Sequence, residues 1–268
     1  MEGTRIALVT GGAKGIGRET ARIFGKAGYR VYIAGRDARA LDRTCDEFSQ
    51  QGIHAFKVRT DVRDRDSCRK LIEFIEGKEG RLDCVINNAG MSMRGPAGTT
   101  DLDVVEAMVE INYLGAVYIT HYALPLIRIS QGSILFISSL TALHGLPQVG
   151  PYGASKMALK GYSESLRIEL AGTGVHIGLV YVGLTENDPD KRVYGSDGAL
   201  VPLVRPTNRH TQQQVAERIL HSVKKRKRVM ILTPVGRLAD VVFRFFPGAA
   251  GWVIIRWAQR SRLYLNGT

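Results

Sequence analysis

Tyr152 and Lys156 are the residues of this sequence whose types and spacing could do acid–base chemistry. On a helix, side chains four residues apart leave the same face, one turn from each other. A phenol is a poor acid at neutral pH, with an unperturbed pKa of about 10, and a nearby positive charge lowers that value. The pair is therefore a candidate proton donor and acceptor. Such pairs also occur on exposed helices without a function, so the rest of the chain must decide.

A glycine-rich turn follows the first apolar segment. Residues 5–10 form a short apolar run that predicts a buried strand, and residues 18–27 have the pattern of a helix. Between them lies the sequence Gly11-Gly12-Ala13-Lys14-Gly15-Ile16-Gly17. Glycines let the backbone approach a phosphate, and a helix start supplies free N–H groups. A turn without a ligand is the alternative, but this context favours a dinucleotide site.

The second predicted strand, residues 29–35, is followed by Arg36 and Asp37. In dinucleotide folds an acid at this place binds the free 2′-hydroxyl of the adenosine ribose, whereas an arginine accommodates a 2′-phosphate. Arg36 therefore favours NADP(H), and Lys14 adds a second cation. Asp37 leaves NAD(H) open, because one register step would place an acid on the ribose.

Strands and helices alternate along most of the chain. Further strands are predicted at 54–59, 82–86, 133–138, 175–182 and 228–233, and further helices at 38–51, 64–80, about 101–130, up to about 171, and 211–224. This pattern predicts an α/β, single-domain Rossmann fold with a doubly wound parallel sheet of about seven strands. Residues 1–235 form the predicted dinucleotide-binding catalytic domain. Residues 184–210 lack a steady period and are predicted to form a substrate lid.

Taken together, the motifs resemble those of the short-chain dehydrogenase/reductase family over residues 4–233. They are Thr10-Gly11-x-x-x-Gly15-Ile16-Gly17, Asp61, Asn87-Asn88-Ala89-Gly90, Asn112, Ser139 and Tyr152-x-x-x-Lys156, in the family's order and at its spacing. The resemblance implies hydride transfer between a nicotinamide cofactor and a carbonyl or secondary alcohol. It also implies a homo-oligomer, a dimer or a tetramer.

The resemblance implies a role for each motif residue. Tyr152 would be the general acid in carbonyl reduction and the general base in alcohol oxidation, and Lys156 would lower its pKa and hold the nicotinamide ribose. Ser139 would hydrogen-bond the substrate oxygen, and strand alternation turns the neighbouring Ser138 the other way. Asn112 would help to hold a water linked to Lys156. The predicted cofactor-binding residues are Thr10, Gly11, Lys14, Gly15, Ile16, Gly17, Arg36, Asp61, Val62, Asn88, Ala89, Gly90, Tyr152, Lys156 and Thr185.

The sequence departs from the family pattern after the sixth predicted strand. The family has Pro-Gly there, followed by a threonine, whereas this chain has Val182-Gly183 and Thr185. Thr185 is expected to reach the nicotinamide carboxamide despite this departure. The six histidines show no ligand spacing, so no metal site is predicted.

The net charge of +12 could indicate nucleic acid, an anionic membrane or an anionic ligand as a partner. The run from Lys224 to Arg228 lies between a predicted helix and a predicted strand, which favours a solvated turn over a nucleic-acid patch. The three cysteines are an odd number and form no C-x-x-C pair, which predicts reduced thiols and a cytoplasmic location. No targeting segment is expected before the first strand.

Residues 236–268 form a predicted C-terminal arm that is apolar and basic. Its uncharged run from Phe245 to Ile255 has 11 residues, too few to span a bilayer. Aromatic residues flanked by arginines are typical of a segment in a membrane interface, with Pro247 expected to divide it in two. Packing on the domain or on a partner subunit, closing the substrate pocket, is the alternative.

The predicted substrate is an apolar, lipid- or steroid-like ketone, and residues 111–115 faintly resemble the 3-ketosphinganine reductase branch. Two alternatives stay open. One is a reductase of a small soluble carbonyl whose arm serves oligomerisation. The other is a cofactor-binding regulator without turnover, against which the complete set of Asn112, Ser139, Tyr152 and Lys156 argues.

Overall fold

Seven parallel strands form the central sheet of this protein. The computed structural model describes residues 4–186, 191–203 and 210–260. The strands of the sheet are β1 (Arg5–Thr10), β2 (Tyr29–Gly35), β3 (Ala55–Arg59), β4 (Cys84–Asn87), β5 (Ser133–Ser139) and β6 (His176–Val182), with β9 (Val229–Ile231) at its edge. Two short strands, β7 (Arg192–Tyr194) and β8 (Leu200–Pro202), pair as a separate antiparallel hairpin.

The strand order is β3-β2-β1-β4-β5-β6-β9, and every neighbouring pair is parallel. The order reverses between β1 and β4, which is where doubly wound sheets bind ligands, at the carboxyl ends of the strands. The predicted fold class is therefore confirmed. Both the glycine-rich turn and the Asn87–Gly90 segment lie at that crevice, because they directly follow β1 and β4.

Helices cover both faces of the sheet. They are α1 (Gly15–Lys26), α2 (Ala38–Gln50), α3 (Arg65–Glu79), α4 (Leu102–Val109), α5 (Gly115–Ser130), α6 (Gly150–Glu169), α7 (Gln212–Lys224), α8 (Pro234–Phe245) and α9 (Pro247–Arg260). Side chains alternate along β1, so that Ala7 and Val9 pack with α1, α2 and α7, while Ile6 and Leu8 pack with α3, α5 and α6. Two apolar layers therefore hold the strand ends in place.

Two regions differ from their predictions. The predicted helix over 101–130 is divided into α4 and α5 by a π-helical turn, Glu110–Leu114. The periodicity of apolar residues does not reveal this turn, because π turns preserve the helical composition. The predicted lid contains the β7–β8 hairpin, whose three-residue strands are too short for a periodic pattern. Residues 187–190 and 204–209 of that lid lie outside the described residues.

The C-terminal arm consists of α8 and α9, and the predicted break at Pro247 is confirmed. The arm meets the catalytic domain beside the segment after β5. The rings of His144 and Phe243 are 4.6 Å apart, and a Cβ on Gly236 would lie 2.5 Å from Leu140 Cδ2. Within the described residues, no helix is both long and apolar enough to cross a membrane. Residues 261–268 of the predicted arm lie outside them.

Candidate active site

The glycine-rich turn leaves the start of α1 open to an anion. Gly11 and Gly15 have positive φ angles of 65° and 57°, which favour glycine. The helix begins at Gly15, three residues before the predicted start, with Lys14 at the N-cap. Lys14 makes no side-chain capping bond and the first turn contains no acidic residue. The first N–H groups and the positive end of the helix dipole therefore suit a phosphate.

The side chains of Thr10 and Asn88 connect the two loops of the crevice. Thr10 Oγ1 accepts hydrogen bonds from the backbone N–H groups of Asn88 and Ala89, each at 3.0 Å. Asn88 Nδ2 donates to the carbonyl oxygen of Thr10 at 2.9 Å. Gly17 lies directly behind, where a Cβ would be 2.5 Å from that same Nδ2. These predicted cofactor-binding residues thus fix the shape of the loops by binding each other.

Two acids near the predicted ribose end already have cationic partners. Asp37 is the N-cap of α2, and its carboxylate accepts a 2.8 Å bond from Lys14 Nζ, which lowers the pKa of Asp37. Asp61 accepts from Arg63 at 2.7 Å, and Arg36 Nη1 lies 4.0 Å from it. Arg36 is half exposed, with 52% of its side chain accessible. Lys14 and Arg36 therefore supply two cations near the end of β2.

The other predicted cofactor-binding residues lie in the walls of the crevice. Val62 is buried, and a Cβ on Gly115 would be 2.8 Å from its Cβ. Ile16 packs partly buried against the apolar layer under α1. Thr185 is buried, donates to the Gly183 carbonyl at 3.3 Å and forms a β-bridge with His210. Its predicted contact with a carboxamide stays a prediction.

Lys156 is a buried ammonium group on α6. It is only 5% exposed, and its Nζ donates to the carbonyl oxygen of Ile137 at 2.9 Å. Burial, with a smaller contribution from the like charge of Lys191, lowers the pKa of Lys156 to about 8. A lysine in this environment is costly for the fold, which is typical of a functional position.

Gly90 brings Lys156 and Asn112 to one point. A Cβ on Gly90 would lie 2.9 Å from Asn112 Oδ1 and 3.2 Å from Lys156 Nζ. Asn112 sits in the π-helical turn, accepts from Met91 N at 2.8 Å and donates to Ser155 Oγ at 3.0 Å. Both polar atoms of the Asn112 side chain thus bind protein groups. It ties the end of β4 to the helix that carries Lys156.

The two candidate serines at the end of β5 have different surroundings. Ser138 is buried and its Oγ donates to the Lys156 carbonyl at 3.2 Å. Ser139 is partly exposed, and its Oγ accepts from Thr141 N at 3.2 Å. Because the Ser139 hydroxyl accepts in that bond, it can donate its proton to a substrate oxygen. The role of Ser139 toward a substrate stays a prediction.

Tyr152 lies at the edge of a small apolar cluster that includes Met91, Met93 and Tyr194. The loop after β4 also carries Arg94, which the sequence analysis did not identify. The backbone N–H of Arg94 donates to the Tyr194 carbonyl at 2.8 Å, and its guanidinium donates to the Met93 carbonyl at 2.6 Å. Burial lowers the pKa of Arg94, whereas its interaction with Tyr152 raises it. A single arginine in a loop has no sequence signal.

The arrangement combines a phenol, a buried cation and a hydroxyl at the carboxyl edge of a dinucleotide-type sheet. A model of the short chain dehydrogenase family matches residues 5–195, more than half of the chain. The chain belongs to the short-chain dehydrogenase family. Members of this family are oxidoreductases that bind a nicotinamide cofactor, and the glycine turn, the open start of α1 and Gly90 fit such a group.

Curated relatives and solved structures agree with this assignment. The short-chain dehydrogenase is 32% identical to dehydrogenase/reductase SDR family member 7B of Bos taurus, over 96% of this chain and 82% of that protein. It is 33% identical to 11-beta-hydroxysteroid dehydrogenase A of Sesamum indicum, over 69% of this chain and 53% of that protein.

Two solved structures share the fold of this short-chain dehydrogenase. One is an alcohol dehydrogenase from Thermococcus sibiricus complexed with 5-hydroxy-NADP, with a TM-score of 0.74, 22% identity, and coverage of 86% of this chain and 95% of that one. The other is a short chain dehydrogenase/reductase from Burkholderia phymatum in complex with NAD, with a TM-score of 0.79, 21% identity, and coverage of 90% and 93%. At these identities the similarity establishes the fold alone.

Proposed function

We propose that this short-chain dehydrogenase is an NADP(H)-dependent carbonyl reductase, or the reverse alcohol dehydrogenase, acting on an apolar lipid- or steroid-like ketone. The convergence of Lys156 and Asn112 on Gly90, one helical turn from Tyr152, carries this proposal. A buried ammonium that destabilises the fold is difficult to explain without a catalytic role. The hydroxysteroid dehydrogenase among the relatives supports the apolar substrate class.

When bound, a nicotinamide cofactor supplies the hydride. The residues of the chain then act on the substrate oxygen, where negative charge develops during reduction. Tyr152 donates its phenolic proton to that oxygen, and Ser139 stabilises it with a hydrogen bond. Lys156 favours the phenolate left on Tyr152 by its charge, one turn away on α6. In alcohol oxidation the same groups work in reverse, with Tyr152 as the base.

The substitution Tyr152→Phe tests this mechanism, because it removes the proton and little else. We expect NADPH consumption with a panel of ketosteroids, long-chain 3-keto lipids and simple aldehydes to fall at least about 100-fold, as for loss of a general acid. Unchanged turnover in the variant would disprove the mechanism. If the wild type turned over only small aldehydes, the proposed substrate class would be wrong, but the proposed role of Tyr152 would still hold.

NADP(H) is proposed over NAD(H) because the acids near the adenosine ribose site are engaged elsewhere. Asp37 caps α2 and binds Lys14, so it has less capacity to accept from a 2′-hydroxyl, whereas Arg36 is accessible. Titration of NADPH and NADH by fluorescence should show tighter binding of NADPH in the wild type and a reversed preference in Arg36→Asp. Equal wild-type affinities would contradict the proposal.

We propose that the arm lies on a membrane surface that carries anionic lipids. Eight large apolar side chains of α8 and α9 are more than half exposed, namely Val235, Leu238, Phe245, Phe246, Trp252, Val253, Ile255 and Trp257. Arg244 is exposed among them, and the Arg256 guanidinium lies 4.4 Å from the centre of the Trp252 ring. Aromatic and basic side chains on one short helical unit suit the headgroup region. The arm meets the segment that follows Ser139, so a lipid-dissolved ketone would arrive near the site.

Vesicle co-sedimentation tests the arm. Phosphatidylserine-containing vesicles should retain the wild type and release Trp252→Ser/Trp257→Ser, while purely zwitterionic vesicles should bind weakly. Ile129→Ser/Ile168→Ser is the control, because it removes two exposed apolar side chains outside the arm and leaves the charge unchanged. Equal binding of the wild type and the double tryptophan variant to these vesicles would contradict the proposal that the arm binds a membrane. Light scattering of the same proteins tests the proposed dimer or tetramer and the alternative that the arm joins subunits.

A further inference from the structure

Arg94 occupies a position that the proposed mechanism does not explain. Its loop is fixed on both sides, since Arg94 N donates to the Tyr194 carbonyl at 2.8 Å and Gly95 N donates to the Gln148 carbonyl at 3.0 Å. The backbone of the loop is therefore held between the β7–β8 hairpin and the segment just before the helix that carries Tyr152. Met93, its neighbour, packs in the same small cluster as Tyr152.

The charge of Arg94 has no carboxylate partner among the described residues. Its Nη1 donates to the Met93 carbonyl at 2.6 Å and to Ser92 Oγ at 3.0 Å, both of them neutral acceptors. Two other partly buried arginines have a counter-charge, since Arg22 pairs with Glu19 at 2.6 Å and Arg30 pairs with Glu79 at 2.9 Å. Arg167 resembles Arg94, because it too donates to neutral oxygen atoms. A half-buried guanidinium without a counter-charge is costly, unless a negative group forms beside it.

We propose that Arg94 is a positioning residue that stabilises the phenolate form of Tyr152, acting as a second cation beside Lys156. This inference rests on the proposed role of Tyr152 as acid and base. Lys156 lies one helical turn from Tyr152 on α6, and Arg94 lies in the loop after β4 and interacts electrostatically with Tyr152. Lys156 loses its proton within the alkaline range, because burial lowers its pKa, whereas a guanidinium keeps its charge throughout. Arg94 would therefore support the phenolate where Lys156 has become neutral.

Among the described residues, the charged and titratable groups in the surroundings of Tyr152 include members of α6, the loop after β4 and β7. Lys156 lies on α6, Arg94 lies in the loop after β4, and Tyr194 lies on β7 in the same cluster. Lys191, just before β7, acts on Lys156 as a like charge. Substitution of Arg94 changes one of these groups and leaves the other three.

Spectrophotometric titration of the tyrosinate tests the inference without requiring turnover. The difference between the titration of the wild type and that of Tyr152→Phe isolates Tyr152, and the same subtraction is made in the Arg94→Gln background. We expect the midpoint of Tyr152 to rise by about one pH unit in Arg94→Gln, the lower end of the effect of a nearby opposite charge. That shift corresponds to about ten-fold less phenolate below the midpoint. Tyr32, Tyr162 and Tyr181 interfere little, because burial raises their pKa values.

Arg94→Lys keeps the charge and should therefore show the wild-type midpoint of Tyr152. Arg128→Gln removes an equal charge in the last turn of α5 and should also leave the midpoint of Tyr152 unchanged. An unchanged midpoint in Arg94→Gln would overturn the inference, as would an equal shift in Arg94→Lys and Arg94→Gln, which indicates a packing role. If the wild type shows no turnover but the midpoint shifts as expected, the proposed function fails and the electrostatic coupling stands. A raised substrate KM with an unchanged midpoint would assign Arg94 to substrate binding instead.

Discussion

The substitution Lys156→Met should make the folded protein more stable. The pKa of Lys156 falls from its ordinary 10.5 to about 8 on burial, a shift that corresponds to about 3 kcal/mol. This penalty applies fully below pH 8, where the lysine is protonated in both states. Methionine removes it but leaves the Ile137 carbonyl without its donor, which costs about 1 kcal/mol. The net gain should be about 2 kcal/mol at pH 7.5, while turnover is lost.

The pH dependence of this gain follows from the sign of the shift. Because the folded pKa lies below the unfolded one, the wild type recovers stability as pH rises from 8 to 10.5. Urea unfolding without added NADP(H) should therefore show the advantage of Lys156→Met shrinking to less than about 1 kcal/mol at pH 9.5. Lys160→Met is the control, since Lys160 is exposed and pairs with Glu164 at 3.0 Å. A variant less stable than the wild type at pH 7.5, or an advantage independent of pH, would refute this reasoning.

Two further predictions concern the turn and the far end of the sheet. Gly17→Ala should lower the free energy of unfolding by about 1–3 kcal/mol and weaken dinucleotide binding, because its Cβ would collide with the Gly11 carbonyl. Gly161→Ala is the control in the same thermal melts, since Gly161 faces open space on α6 and its substitution should be neutral or stabilising. Burial lowers the pKa of His176 to about 4, so the wild type should lose about 1–2 kcal/mol as pH falls from 6.5 toward 4. His176→Gln should lose less over that range in urea unfolding, and identical pH slopes would exclude His176 as the cause.

The central strands of the sheet could be predicted from the sequence because their side chains are buried on both faces. Continuous apolar runs such as residues 5–10 and 176–182 form strands with bounds close to those expected. The motif residues were found for a similar reason, since Gly11 and Lys156 each satisfy a requirement that few residue types meet.

The contacts that shape the site could not be predicted, because they join distant parts of the chain. The sequence shows that Asp37 follows a strand, but not that it caps α2 and binds Lys14. Nor does it show that Thr10 binds the backbone of Asn88 rather than a ligand. Arg94 was missed because only its burial beside Tyr152 distinguishes it from other loop arginines.

The π-helical turn at residues 110–114 makes the packing of the helices on either side of it sensitive to the loss of a single residue. A π turn uses one residue more than an α turn, so everything beyond it is set back by about 100° around the axis. Before the turn, Val104 and Met108 face the cluster beside Tyr152, and beyond it Ile119 faces the main apolar layer. Deletion of one residue here would remove the offset and turn one of those two faces toward solvent. Apart from Asn112, the segment should therefore tolerate substitution far better than any change in its length.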